Sequence, residues 1–273
     1  MKNYTLGIYE KALPANLTWR EKLEFAKKVG YDFLEISIDE TNEKLQRLDS
    51  DDKYELLKLS KEILPIETMC LSGHRKYPLG SHDENIRNKS LEIMKKAIDL
   101  ASFLGIRIIQ LAGYDVYYEN GDNETKKYFE ENLQKCVNMA AKKGILMGFE
   151  TMETDFMNTV SKSMEYVNKI NSKYLGVYPD LGNITNATKD VVSDLNSGKG
   201  SLIAMHLKET VPGKFREIPF GTGHVNFEEG IKTAWNLGVR RYVTEFWDVG
   251  KENWKDDVYD AFNRMSTILD KQI

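Results

Sequence analysis

The sequence predicts a single (β/α)8 TIM barrel over residues 1–273, and three observations carry that prediction. Strand-like and helix-like segments alternate eight times along the chain. No shift in composition and no Pro/Gly/Ser-rich linker divides the 273 residues, a length that suits one α/β barrel. The last four strand-like runs each stop at a polar side chain: 145–149 at Glu150, 175–179 at Asp180, 202–205 at His206 and 242–244 at Glu245. Short apolar runs of this kind suit strands buried on both faces. No GxGxxG follows the first strand, so an open dinucleotide-binding sheet has no support.

Each element follows from its local pattern. Residues 4–9 form a strand closed by Glu10. Thr18 caps the first helix, with Glu21 completing a capping box. Leu23, Phe25, Ala26 and Val29 give that helix its apolar side, and Gly30 ends it. Residues 33–38 are the second strand. The acidic stretch 49–52 opens a helix carrying Leu56, Leu57, Leu59 and Ile63, stopped by Pro65. Residues 66–71 are the third strand, followed by a Gly-, His-, Arg- and Pro-containing loop over 72–83. Ile86, Leu91, Ile93, Met94, Ala97, Ile98, Ala101 and Leu104 then recur at helical spacing up to Gly105. Residues 107–113 are the fourth strand, and a long loop through Tyr114, Tyr117, Tyr118 and Asn120 leads to a helix over 123–143. Gly144 closes it before the fifth strand. The remaining helices are expected over 161–170, 190–196, 227–237 and 253–269.

Composition narrows the function classes. A net charge of −4 and a pI near 5.7 argue against nucleic acid and anionic membranes as partners. With 41% hydrophobic and 29% charged residues, a large core under a charged surface is expected. Cys70 and Cys136 fit no disulfide framework or CxxC pair and are expected to be buried thiols. The chain begins in a strand without a signal-peptide pattern, and no run is long enough to span a bilayer. A cytoplasmic protein is expected, and a homodimer is compatible with the sequence.

In an eight-stranded barrel every strand aims its C-terminus at one face, which holds the active site. Glu150, Asp180, His206 and Glu245 would stand on neighbouring strands and converge. Singly, an acidic strand end is a helix cap or a surface ion pair, and a lone His is a core residue. Four such residues at four consecutive strand ends form a ligand set. Crowded carboxylates raise one another's pKa, and a divalent cation removes the conflict. Oxygen donors with one imidazole suit Mn²⁺, Zn²⁺, Co²⁺ or Mg²⁺.

The series Gly148-Phe149-Glu150, Tyr178-Pro179-Asp180-Leu181-Gly182-Asn183, His206-Leu207-Lys208-Glu209-Thr210 and Glu245-Phe246-Trp247 resembles the xylose-isomerase-like barrel superfamily. The loop motifs at 72–81, 109–118 and Pro219-Phe220-Gly221-Thr222-Gly223 resemble, more narrowly, the L-ribulose-5-phosphate (L-xylulose-5-phosphate) 3-epimerases of ascorbate and pentose catabolism. The resemblance implies inversion at C3 of a 2-ketopentose 5-phosphate through an enediolate. Glu150 and Glu245, the outer pair of the cluster, would be the catalytic acid and base as well as metal ligands; Asp180 and His206 would be ligands only. For the substrate, His74 and Arg75 lie in the loop after strand three. Lys208, Lys214 and Arg216 lie in and after strand seven, with Gly221 and Gly223 close behind, where barrels often bind phosphate. Asn183 stands where free-ketose epimerases carry His. Glu35 and Asp39 either bind hydroxyls or pair with lysines, and Tyr114, Tyr117 and Tyr118 either close over the sugar or pack. The alternatives are a free-ketose epimerase or isomerase of the same fold and a metal-dependent DNA-repair nuclease. The nuclease needs more His and Asp ligands than a chain with four His supplies.

Overall fold

The computed structural model describes residues 2–273. Its strands are β1 Thr5–Tyr9, β2 Phe33–Ile38, β3 Ile66–Leu71, β4 Ile108–Ala112, β5 Leu146–Glu150, β6 Leu175–Val177, β7 Met205–Leu207 and β8 Arg241–Thr244. They form one sheet in the order β6-β5-β4-β3-β2-β1-β8-β7 with every neighbouring pair parallel. The two sheet edges meet through isolated parallel bridges, Val177 with Leu202 and Asp180 with His206. Three backbone hydrogen bonds hold that seam: Val177 N to Ser201 O (2.9 Å), Ile203 N to Val177 O (3.0 Å) and His206 N to Pro179 O (2.9 Å). The chain is thus a closed barrel, as expected.

The helices are α1 Trp19–Val29, α2 Asn42–Gln46, α3 Lys53–Glu62, α4 Glu84–Leu104, α5 Asn123–Lys143, α6 Val160–Ile170, α7 Leu181–Ala187, α8 Val191–Ser197, α9 Phe227–Asn236 and α10 Trp254–Asp270. Among the described residues no helix is long and apolar enough to cross a membrane. The capping box is present at α1, where Glu21 N donates to Thr18 Oγ1 and Thr18 N to Glu21 Oε2. The Gly that ends α1 has φ 118°, a conformation that side chains resist. Two short helices, α2 and α7, are additional to those expected. The strands β6 and β7 are shorter than expected, because their outer residues carry the seam through single bridges rather than a ladder.

Side chains alternate along each strand. One set, including Leu6, Ile8, Leu34, Ile36, Phe149 and Leu207, packs against the helices in the main core. The other set points into the barrel, where Tyr9, Phe33, Cys70, Ile108, Tyr178, Ala204 and Val243 form a separate cluster. Gly7 lies beside Phe33 in register, and a Cβ there would collide with the Phe33 ring. The barrel floor is therefore filled by one large ring against one missing side chain. The same inward positions become polar towards the strand C-termini: Glu35, Gln110, Glu150, Asp180, His206, Lys208 and Glu245 are all buried there. Cys70 and Cys136 are free and buried.

Candidate metal centre and its mouth

Four consecutive strands deliver the cluster. Glu150 is the last residue of β5, and Glu245 follows β8 with its N–H bonded to Leu207 O at 2.9 Å. His206 is the middle residue of β7. Asp180 lies past β6 and caps α7: its Oδ1 accepts from Asn183 N at 2.6 Å, leaving Oδ2 for the barrel interior. It is both a helix cap and a member of the cluster. One donor atom from each of the four residues falls within 4.8 Å of the others.

His206 is oriented from behind. Its Nε2–H donates to Glu35 Oε1 at 2.5 Å, and Tyr178 Oη–H donates to Glu35 Oε2 at 2.9 Å. That leaves Nδ1 facing Glu245 Oε2 at 3.2 Å and Glu150 Oε1 at 3.8 Å. A carboxylate on the far nitrogen of a ligating His fixes its tautomer and raises its basicity. The Gln110 amide nitrogen lies 3.0 Å from Nδ1 and 3.2 Å from Nε2. A group that near to both nitrogens cannot lie in the ring plane without striking the carbon between them, so it caps the ring face. Glu35 thus partners the His and Asp39 pairs with Lys11 at 2.5 Å.

The charges do not balance. Glu35, Glu150, Asp180 and Glu245 bring four carboxylates, and Lys208 brings one ammonium, 3.2 Å from Asp180 Oδ2 and 3.3 Å from Glu245 Oε2. Burial, and then repulsion by Glu245, pushes the Glu150 carboxyl up. Burial pushes Asp180 well up in spite of Lys208. For Glu245 burial acts upward too, but Lys208 and His206 outweigh it and hold the carboxyl well below its usual range. Burial disfavours the His206 imidazolium, yet Glu35 and Glu245 outweigh it and raise the ring well above its ordinary pKa. Asp180 Oδ2 and Glu245 Oε2 are buried with Lys208 close by, but neither receives an aligned hydrogen bond. Under-satisfied buried acceptors beside a surplus of negative charge are what a divalent cation would satisfy, with the ion taking the place of the Nδ1 proton. The cluster can bind a divalent metal.

The mouth above the cluster is lined by Tyr9, Lys11, Cys70, Arg75, Glu150, Met152, Glu153, Asn183, Lys208, Phe215, Arg216, Glu245 and Trp247, among others. Of the residues expected to contact substrate, Arg75, Asn183, Lys208 and Arg216 are there. Asn183 donates through Nδ2 to Thr151 O at 2.7 Å, and its buried Oδ1 has no partner. Arg75 stacks 5.1 Å from the Tyr117 ring; Arg216 lies 5.6 Å from the Trp247 ring and 3.8 Å from Glu153 Oε1. His74 and Lys214 are not among the lining residues. The His74 ring is turned into the scaffold, where Nε2 donates to Ser90 O at 3.2 Å and burial pushes it down to about 4. Lys214 is exposed on a tight backbone pair with Val211. Gly221 and Gly223 surround the carboxylate of Glu209, which accepts from Gly221 N at 2.9 Å. The Gly221–Gly223 turn is thus closed on a side chain of the protein itself.

Glu153 was not singled out from the sequence. Gln110 lies in the 109–118 motif without a role of its own, and Glu35, expected to bind a hydroxyl or pair with a lysine, instead holds His206. Glu35 shares strand parity with Phe33, so it points inward. Tyr114 and Tyr117 both donate to Glu153, at 2.7 and 3.2 Å, which ties the aromatic loop to the rim.

Comparisons with known proteins agree with this geometry. The sequence profile of the xylose isomerase-like TIM barrel matches residues 23–265. L-ribulose-5-phosphate 3-epimerase UlaE of Shigella flexneri is 42% identical over 264 residues, covering 95% of this chain and 93% of that protein. The protein of that name from Escherichia coli (strain SMS-3-5 / SECEC) is 43% identical with the same coverage. Among solved structures, D-psicose 3-epimerase with D-tagatose from Clostridium cellulolyticum H10 superposes with a TM-score of 0.80 at 17% identity, covering 97% of this chain and 99% of that one. A structure of L-ribulose 3-epimerase gives 0.81 at 16% identity, covering 98% and 95%. At such identities those structures speak for the barrel alone. Sequence, fold and the Glu-Asp-His-Glu cluster together make this chain a member of the xylose isomerase-like TIM barrel family and, within it, of the L-ribulose-5-phosphate 3-epimerases, enzymes of the isomerase class.

Proposed function

We propose that the protein inverts C3 of a 2-ketopentose 5-phosphate, converting L-xylulose 5-phosphate to L-ribulose 5-phosphate, with one divalent ion held by Glu150, Asp180, His206 and Glu245. The observation that carries this reading is the placing of two buried glutamates on either flank of the cluster, from β5 and β8, with β6 and β7 between them. The ion, when bound, supplies Lewis acidity for the C2 oxygen beside the reacting carbon. Glu150 and Glu245 exchange the C3 proton: one removes it from one face and the other returns a proton to the opposite face. Asp180 and His206 hold the ion, and Glu35 holds His206. Tyr9, Met152, Phe215 and Trp247 wall the mouth and limit water around the carbanionic centre.

The phosphate is assigned to the cationic rim. Arg75 and Arg216 both line the mouth and both flank Glu153, which favours them over Lys214 and His74. Arg offers bidentate geometry for a phosphate dianion. Lys208, held against two cluster carboxylates, and Asn183, with its unpartnered Oδ1, are assigned to the sugar.

Proton NMR of the metal-loaded enzyme with L-xylulose 5-phosphate in D₂O tests the reaction. Deuterium is expected at C3 of the product and not at C1; label at C1 would make the protein an aldose–ketose isomerase. Running L-xylulose alongside tests the phosphate. Equal turnover of the two would replace this reading with a free-ketose epimerase.

A further inference from the structure

The loop between β7 and α9 is folded around a buried carboxylate of its own. Glu209 is 2% exposed, and its partners are backbone N–H groups rather than a cation. Oε2 accepts from Gly221 N at 2.9 Å; Oε1 accepts from Thr210 N and from Val225 N, both at 3.2 Å. A Cβ on Gly223 would collide with Oε1 and with Thr210 O, so the backbone closes on the carboxylate only because that residue is glycine. A buried carboxylate without such donors is costly. The carboxylate therefore gathers Thr210, Gly221 and Val225 at one point and pins both ends of the intervening segment. That segment carries Phe215 and Arg216 to the mouth. It also holds Glu217 at φ 61°, a conformation a non-glycine residue keeps only when its surroundings impose it.

We propose that Glu209 is a positioning residue: its carboxylate is an internal anion that templates the β7–α9 loop and thereby sets Arg216 over the mouth. The role given to Arg216 rests on the function proposed above; the templating does not.

The test uses the full metal-loaded chain. Glu209→Ala leaves the three N–H groups facing a vacated space that a small carboxylate fits. We expect trypsin to cut after Lys214 and Arg216 at least about tenfold faster than in the wild type, and added formate to restore protection. KM for L-xylulose 5-phosphate should rise about tenfold, the lower end for one lost charge-assisted contact, while kcat and turnover of free L-xylulose change much less. Gly223→Ala keeps the carboxylate but obstructs the loop, so it should reproduce the cutting and the KM change without formate rescue. It carries the test if Glu209→Ala does not fold. Unchanged cutting and unchanged KM in either variant would overturn the template. Faster cutting rescued by formate, with both substrates affected alike, would keep the template and remove Arg216 from phosphate binding. Faster cutting in Glu209→Ala that formate leaves unaltered would also overturn it.

Discussion

Two buried carboxylate sites on the same face of the barrel are built by opposite rules. Glu10, just past β1, meets three cations: Arg47 Nη1 at 2.6 Å, Lys44, and Lys22 at 3.8 Å, and it also accepts from Ser37 N at 2.9 Å. Burial pushes its pKa upward, but Arg47, Lys44 and Lys22 outweigh it and bring the carboxyl below its ordinary value. In the cluster, four carboxylates share one lysine, Lys208, and the single imidazole of His206, and Glu150 and Asp180 are pushed up. Where the chain supplies enough cations, a buried carboxylate ties loops together. Where it supplies too few, the cluster is left with a deficit that a divalent cation from outside could fill, the contrast between a candidate metal centre and an ion-pair network.

The largest effect should come from supplying or removing that outside charge. Exhaustive chelation, or His206→Ala, should abolish turnover and lower the metal content below one ion per chain, with activity returning to the wild type on metal add-back. Glu10→Gln should leave the metal content unchanged. Full activity in a preparation shown by elemental analysis to hold no metal would erase the contrast between the two sites.

Removing a charge at each site should then separate chemistry from stability. Glu150→Gln and Glu245→Gln should each lower kcat by at least about a hundredfold, the low end for a lost general acid or base. Circular dichroism should show the barrel retained. Glu10→Gln should instead cost about 3–5 kcal/mol in urea unfolding of the metal-loaded protein, because it strands buried cations. In metal-free protein Glu150→Gln should not destabilise, since it removes surplus negative charge. The two sites also predict opposite pH slopes. The Glu10 contribution is present above the unfolded-state pKa near 4.5 and lost as pH falls through its lower folded value. Metal-free Glu150, raised when folded, favours the folded state below 4.5 and loses that contribution as pH rises through its folded value. Parallel slopes for the two variants relative to wild type would contradict the assignment.

The smallest effect concerns the support behind the centre. Glu35→Gln keeps the shape but weakens the hold on His206 Nε2, and metal affinity should fall about 10- to 100-fold in competition with a chelating dye. An unchanged affinity would mean that Tyr178 and Gln110 hold the ring without Glu35.

The parts legible in the sequence are those whose signal is local. An apolar run that stops at a charged residue reveals both a strand and its polar end, so Glu150, Asp180, His206 and Glu245 stood out. Glu35 was legible as a polar residue of strand two but its partner was not, because His206 lies on β7, 171 residues further along the chain. A five-residue helix such as Asn42–Gln46 is too short to show a period. Leu181–Ala187 contains a Gly and two Asn, poor helix formers, and depends on the Asp180 cap. Loop residues gave the least. Their position fixed the face on which they lie but not the direction of the side chain, which is why His74 turns into α4 and the Gly221–Gly223 turn wraps Glu209.

The seam between β6 and β7 has a mechanical consequence. Every other junction of the barrel is a ladder, while this one is two single bridges, and Asp180 and His206 are the partners in one of them. An ion gripped by both is a rivet across the weakest joint of the cylinder. Loading it should therefore slow amide hydrogen exchange most at Val177, Ile203 and His206, whose N–H groups close the seam, and least on the far wall between β2 and β3.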